Sequence, residues 1–123
     1  MVRFSTMITL VQQYFSASAA RFPDKPALCC DQQSMRFGEA EAFTNAFARA
    51  LKAAGAQRGQ LVPFFMAKSV NSMLSILSIL KADCAYVPVD VKSPAQRLAS
   101  ILLAAKASVV VVDDDSQVLF ESL

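Results

Sequence analysis

The sequence predicts an α/β fold, a partial parallel sheet with flanking helices, and three observations carry that expectation. Residues 61–66 and 108–112 are apolar throughout and of strand length, without the alternation of a strand that faces water on one side. Segments of helical periodicity lie before, between and around these runs, and strands alternating with helices favour right-handed parallel connections. The 123 residues, 54% hydrophobic, suffice for one unit with a real core and are too few for two.

The elements are expected in the order helix, hairpin, helix, strand, helix, short extended segment, helix, strand. Over residues 8–20, Leu10, Val11, Tyr14 and Phe15 recur at helical spacing until Pro23 and Pro26 stop the helix. Short strands at 27–30 and 35–37 flank the polar residues 31–34 and predict a hairpin. Phe43, Ala46, Phe47, Ala50, Leu51 and Ala54 follow at steps of three and four, which predicts a helix buried on that stripe with Gly55 closing its end. In the run 61–66, Pro63 lacks an N–H, which places the strand at a sheet edge or a chain end. Ser69 is positioned to cap a helix reaching about residue 82, with Val70, Met73, Leu74, Leu77 and Leu80 on one face and Ile76 and Ile79 widening it. Ser93, Pro94 and Gln96 match a capping box, with Leu98, Ile101, Leu102 and Ala105 inward in the helix that follows. The sequence stops soon after the apolar run 108–112, as expected of a sheet that is cut short.

Composition excludes several function classes. There is no histidine, which removes Ser-His, Cys-His and His-ligand chemistry. The only glycines are Gly38, Gly55 and Gly59, so neither G-x-G-x-x-G nor G-x-x-x-x-G-K-[ST] can be written. A net charge of +2 is too small for a partner bound by neutralising phosphates, and nucleic acid is not expected. Cys29, Cys30 and Cys84, odd in number, suit neither a disulfide framework nor a four-ligand zinc site and read as thiols in a reducing compartment. Residues 70–80 are broken by Asn71, Ser72, Ser75 and Ser78, so no membrane span is expected. Met1, Val2 and Arg3 ahead of an apolar run resemble a secretory leader, but Gln12, Gln13 and Tyr14 interrupt it, and a cytoplasmic location is expected.

Asp113, Asp114 and Asp115 follow a strand where α/β sheets hold ligands, which raises a magnesium or phosphate role. Residues 110–114 even resemble the acidic opening of a receiver domain. The order is wrong for that family, which needs its acceptor aspartate and lysine further downstream, and a solvated strand-end loop is expected. Glu39 and Glu41 are two apart near a helix start and point different ways, which favours dipole-complementing charge over paired acid–base work. Lys68 precedes the Ser69 helix and is expected to face solvent. Arg97 sits in a first helical turn, where a cation needs a partner such as Asp90 or an absent segment.

The stretch 80–90, LKADCAYVPVD, holds more detail than periodicity requires. It resembles the second signature of the adenylate-forming (AMP-binding) ligases, above all the adenylation domains of nonribosomal peptide synthetases: L-K-A-G-x-A-Y-[VL]-P-[LI]-D. Leu80, Lys81, Ala82, Ala85, Tyr86, Val87, Pro88 and Asp90 match; Asp83 stands in place of glycine, and Val89 in place of leucine or isoleucine. If that glycine closes a helix in the left-handed region, Asp83 must adopt the same conformation at some cost. Residues 23–28, PDKPAL, are similar to the family's P-D-x-P-A-L, and residues 94–98, PAQRL, to its P-x-E-R-[IL]. The first signature, L-[ST]-Y-x-E-L, is kept at 35–40 only in Glu39. The resemblance covers about residues 8–115.

The resemblance implies the N-terminal portion of the adenylate-forming ligase large subdomain, spanning residues 1–123 as a single unit. In that family ATP and a carboxylic acid give an acyl-adenylate and pyrophosphate with magnesium, and the acyl group passes to a phosphopantetheine thiol on a carrier domain or to coenzyme A. The phosphate loop, ribose-binding aspartate, acid pocket and catalytic lysine of the family all lie downstream of the part represented here. No catalytic, cofactor-binding or metal residue is therefore carried over, and the chain alone is expected to be inactive. The expected partner is the remainder of the adenylation domain or synthetase. The alternative is a stand-alone, self-associating interaction module derived from such a domain, held together through exposed apolar surface.

Overall fold

The computed structural model describes residues 8–123. Helix α1 (Val11–Arg21) leads into the strands β1 (Pro26–Cys30) and β2 (Gln33–Arg36), followed by α2 (Phe37–Ala53), β3 (Leu61–Phe65) and α3 (Val70–Lys81). Then come β4 (Ala85–Val89), α4 (Ala95–Ala105), β5 (Val111–Val112) and α5 (Asp114–Glu121). β1 and β2 form an antiparallel hairpin, and β3, β4 and β5 form a parallel sheet in the order β4-β3-β5.

The central strand β3 is covered on both faces, which explains why its residues do not alternate. On one face Val62 and Phe64 pack with Ala48 and Leu51 of α2 and Ile79 of α3. On the other, Phe65 and Val89 pack against Leu98 of α4, with Phe120 of α5 alongside. A third cluster, Ala40, Val70 and Leu74, seats the hairpin through Leu28, Cys30 and Met35 and seats α1 through Phe15. Ser69 caps α3 as expected, its side chain accepting from the Ser72 backbone N–H at 3.2 Å.

Several expectations are corrected. Pro63 lies in the central strand, not at an edge. β4 pairs along all of β3, but β5 pairs only with Phe64 and Phe65, so at Pro63 the strand has a neighbour on one side only and the missing donor is tolerated. The last strand is shorter than 108–112, being confined to Val111–Val112. Ser93 does not cap α4: Pro94, extended at φ −57° and ψ 144°, is the N-cap residue, no side chain caps it, and the helix starts at Ala95. α1 turns Val11 and Tyr14 outward, 70% and 62% exposed, and buries Ala19. α2 starts at Phe37 and buries Ala40, Thr44, Ala48 and Leu51, while Phe43 of the expected stripe is 46% exposed. The acidic run 113–115 opens a helix where a loop was expected.

The secretory-leader reading of Met1, Val2 and Arg3 lies outside the described residues. Among the described residues, no helix is long and apolar enough to cross a membrane.

Candidate functional site

The signature stretch 80–90 runs from the end of α3 through a tight turn into β4, and its lysine is the centre of a polar cluster joining three helices. Lys81 Nζ donates to Glu41 Oε2 at 2.8 Å, Thr44 Oγ1 at 2.7 Å and Asn45 Oδ1 at 3.0 Å. An ammonium has three N–H groups, and all three are used. Glu41 in turn accepts from Ser16 Oγ of α1 at 2.8 Å, and Thr44 Oγ1 donates to the Ala40 carbonyl at 2.7 Å. Gln12 Nε2 donates to the Leu80 carbonyl, and the Phe15 ring centroid lies 5.8 Å from Nζ. The Lys81 side chain is 8% exposed, the Glu41 side chain 25%. Burial pushes the Glu41 carboxyl up, but hydrogen bonds from Lys81, Ser16 and Asn45 and the lysine charge outweigh it and hold it below the usual carboxylate value. Glu41 is therefore not the solvated first-turn charge its position suggested.

Asp83 occupies the left-handed region at φ 62°, where the family signature has glycine. Its carbonyl accepts from the Gly59 N–H at 2.8 Å, fixing the turn that aligns β3 with β4. The conformation costs an L residue about 1–2 kcal/mol. Asp83→Gly is expected to stabilise the chain by about 0.5–1 kcal/mol after the entropy of the unfolded glycine is counted, raising the melting temperature by roughly 2–4 °C in thermal unfolding. An unchanged or lowered midpoint contradicts a glycine-type role. Beyond the turn, burial and the neighbouring Asp83 carboxylate push the Cys84 thiol up, which suits an inert packing group. Tyr86 stacks obliquely against Phe64 at 6.2 Å, and Asp90 Oδ1 accepts from the Lys92 backbone N–H.

The remaining candidates serve local structure. Asp113 Oδ1 accepts from the Ser116 N–H at 2.8 Å and caps α5, with Asp114 and Asp115 in the first turn, where negative charge is favoured. An aspartate N-cap followed by two more acids was the sequence signal for this helix. Glu39 Oε1 accepts from the Arg36 N–H at 3.3 Å, the return half of a capping box whose Ser/Thr half is replaced by Arg36. Lys68 is exposed. Arg97, also exposed, forms no ion pair with Asp90 or any other of the described residues. Cys29 is exposed and Cys30 half-buried beneath the hairpin.

The three glycines all serve local structure. Gly55 and Gly59 serve turns at φ 114° and 84°, and Gly38 permits a close contact, an added Cβ falling 3.2 Å from the Pro23 carbonyl oxygen. None is left for a phosphate loop. Among the described residues, no three His, Cys, Asp or Glu side chains are grouped to hold a metal ion. A depression of ≈ 600 Å³ at the carboxyl ends of β3 and β4 contains Ser72 and Asp90. It is also lined by Lys68 and Lys92, while Ser72 Oγ donates to the Ser69 carbonyl and Asp90 Oδ1 accepts from the Lys92 N–H.

Two adjoining cavities lie beside β5. A cavity of ≈ 240 Å³ lined by Phe43, Phe47, Met66, Leu74 and Val111 adjoins another of ≈ 280 Å³ lined by Phe47, Ala50, Ala54 and residues 109–112. Phe43 and Phe47 stack at 6.0 Å along one wall. The apolar stripe legible in α2 therefore faces a trough along a free sheet edge.

A parallel sheet between helix layers, carrying the glycine-type turn and the Ala-Tyr-Val-Pro-Val-Asp strand, defines the class. Residues 15–122 match the AMP-binding enzyme family, and the chain belongs to it. More particularly, it is the N-terminal part of a nonribosomal peptide synthetase adenylation domain. It is 34% identical over 100 residues to tyrocidine synthase 1 of Brevibacillus parabrevis, covering 81% of this chain and 9% of that protein. Its fold is similar to the Klebsiella oxytoca NpsA N-terminal subdomain in complex with 3-hydroxyanthranilyl-AMSN, with a TM-score of 0.79 and 27% identity, covering 89% of this chain and 28% of that one. The nonribosomal peptide synthetase FmoA3, in an α-methyl-L-serine-AMP bound form, gives a TM-score of 0.84 at 30% identity, covering 88% of this chain and 12% of that one. The chain thus spans a small part of the proteins it matches.

Proposed function

We propose that this chain is the scaffold segment of an ATP-dependent adenylation domain that activates an amino or other carboxylic acid as its acyl-adenylate for transfer to a phosphopantetheine thiol. By itself it performs no turnover. The observation that carries this reading is where the signature lysine goes: Lys81 is held between helices by Glu41, Thr44 and Asn45, a structural use of its charge. ATP, magnesium and the acyl acceptor belong to the remainder of the domain, whose folding this sheet supports. NpsA and FmoA3 bound to adenylate-type ligands support the reaction class.

ATP–pyrophosphate exchange with the purified chain, across a panel of amino and aryl acids, is expected to stay at background. Acid-dependent exchange by this chain alone overturns the scaffold reading.

A further inference from the structure

We propose that this chain by itself pairs with a second copy of itself through the β5 edge, antiparallel and about a closed two-fold axis. Valines of each copy enter the trough against α2 of the other. The inference goes beyond the scaffold reading, which concerns turnover and not self-association.

The edge suits strand addition. β5 is the last strand in the order β4-β3-β5, so its outer side meets no strand among the described residues. Residues 109–112 are four valines with no proline, glycine or charge to blunt that side, whereas β4, at the opposite edge, carries Pro88 and lacks a ladder donor there.

Charge chooses the direction. Asp113, Asp114 and Asp115 stand at the carboxyl end of β5, and Lys106 stands before its amino end. Ser108 Oγ donates to Gln60 Oε1 at 3.3 Å, which brings Arg58, two residues before Gln60, to the same basic end. Lys106, Arg58, Asp114 and Asp115 are all exposed. Two copies paired parallel would set acid against acid and base against base. Paired antiparallel, each acidic end meets the basic end of the other copy, and symmetry makes that contact twice.

The faces choose the register. Val109 and Val111 pack on the α2 side of the sheet and Val112 on the Phe65 side. Directly opposed residues of antiparallel strands point to one face, so a pairing centred on Val110 sets Val109 of one copy against Val111 of the other, both on the α2 side. Those valines reach the trough lined by Phe47, Ala50 and Ala54. The same register brings Lys106 toward Asp114 of the other copy. Both β5 edges are consumed, so assembly stops at two chains.

Light scattering of the full chain is expected to move from the mass of one chain toward that of two between about 5 and about 200 µM, as a small interface allows. Amide exchange at the two concentrations is expected to slow at the outward amides of residues 109–112 and to stay unchanged in β4. Lys106→Glu sets acid against acid twice and is expected to weaken the dimer about tenfold, and adding Asp114→Lys is expected to restore it. A monomer at about 200 µM, open assemblies larger than two chains, a dimer in which residues 109–112 exchange as in the monomer, or a double variant no tighter than Lys106→Glu overturns the inference. None of these results bears on pyrophosphate exchange, which judges the scaffold reading separately.

Discussion

Replacing Glu41 by glutamine is expected to cost about 3 kcal/mol of unfolding free energy, because it leaves the Lys81 ammonium buried without its counter-charge. Lys81→Met removes the other half and is expected to cost less, about 1–2 kcal/mol, since the abandoned carboxylate is the more exposed partner and water can reach it. The order of the two effects follows from burial, and urea unfolding of both variants checks it. The reverse order, or equal losses below 1 kcal/mol, shows that the cluster is a surface ion pair. The double variant is expected to be more stable than Glu41→Gln alone. The same cluster sets an acid dependence. The Glu41 carboxyl is held low in the folded chain, so the stability it supplies is complete above its unfolded value near pH 4.3 and is lost as pH falls through its depressed folded value. Glu41→Gln is expected to flatten that acid limb, which a set of urea midpoints between neutral and acid pH reads directly.

The sequence shows this fold best where one residue dictates one geometry. Ser69 announces the start of α3, Pro23 and Pro26 follow the end of α1, and the valine run contains the short strand Val111–Val112. The position of Asp83 in the signature implies a left-handed helix end, and φ 62° agrees. What periodicity misread is which face of α2 is buried. Its large apolar residues, Phe43 and Phe47, point to one stripe, but the buried stripe is Ala40, Thr44, Ala48 and Leu51, of which only Leu51 lies on the expected face, with Phe47 partly buried beside it. α3 presents Ser72, Ser75 and Ser78 inward, each hydroxyl donating to a carbonyl of its own helix or cap, and two faces of small residues let helices approach closely. A hydrophobicity pattern cannot rank alanine and serine above phenylalanine, and here the phenylalanines are left for the trough. Nor could spacing find the Lys81–Glu41 pair, separated by 40 positions and joined only when α2 packs on α3. Pro63 failed as an edge marker because a two-residue β5 leaves the middle of β3 with an open side.

Phe65→Ala is expected to be the most damaging single change, with a loss of about 3–5 kcal/mol. Phe65 is 0% exposed at the carboxyl end of the central strand, and it touches every element on its face: Val89 of β4, Leu98 of α4 and Phe120 of α5. Removing the ring deletes apolar contact and opens a cavity that three separate elements would have to collapse together to fill. Phe65→Leu keeps most of the volume and is expected to cost about 1–1.5 kcal/mol. Val118→Ala on the outer side of α5, at a residue 76% exposed, is expected to fall within about 0.5 kcal/mol of the parent. The damage is also expected to be uneven. The Phe120 ring of α5 packs on Phe65, so amide exchange across residues 114–121 should quicken more than across α2, which rests on the opposite face. Equal acceleration in α2 and α5, or a loss below 1 kcal/mol, means that α5 is held by something other than this ring.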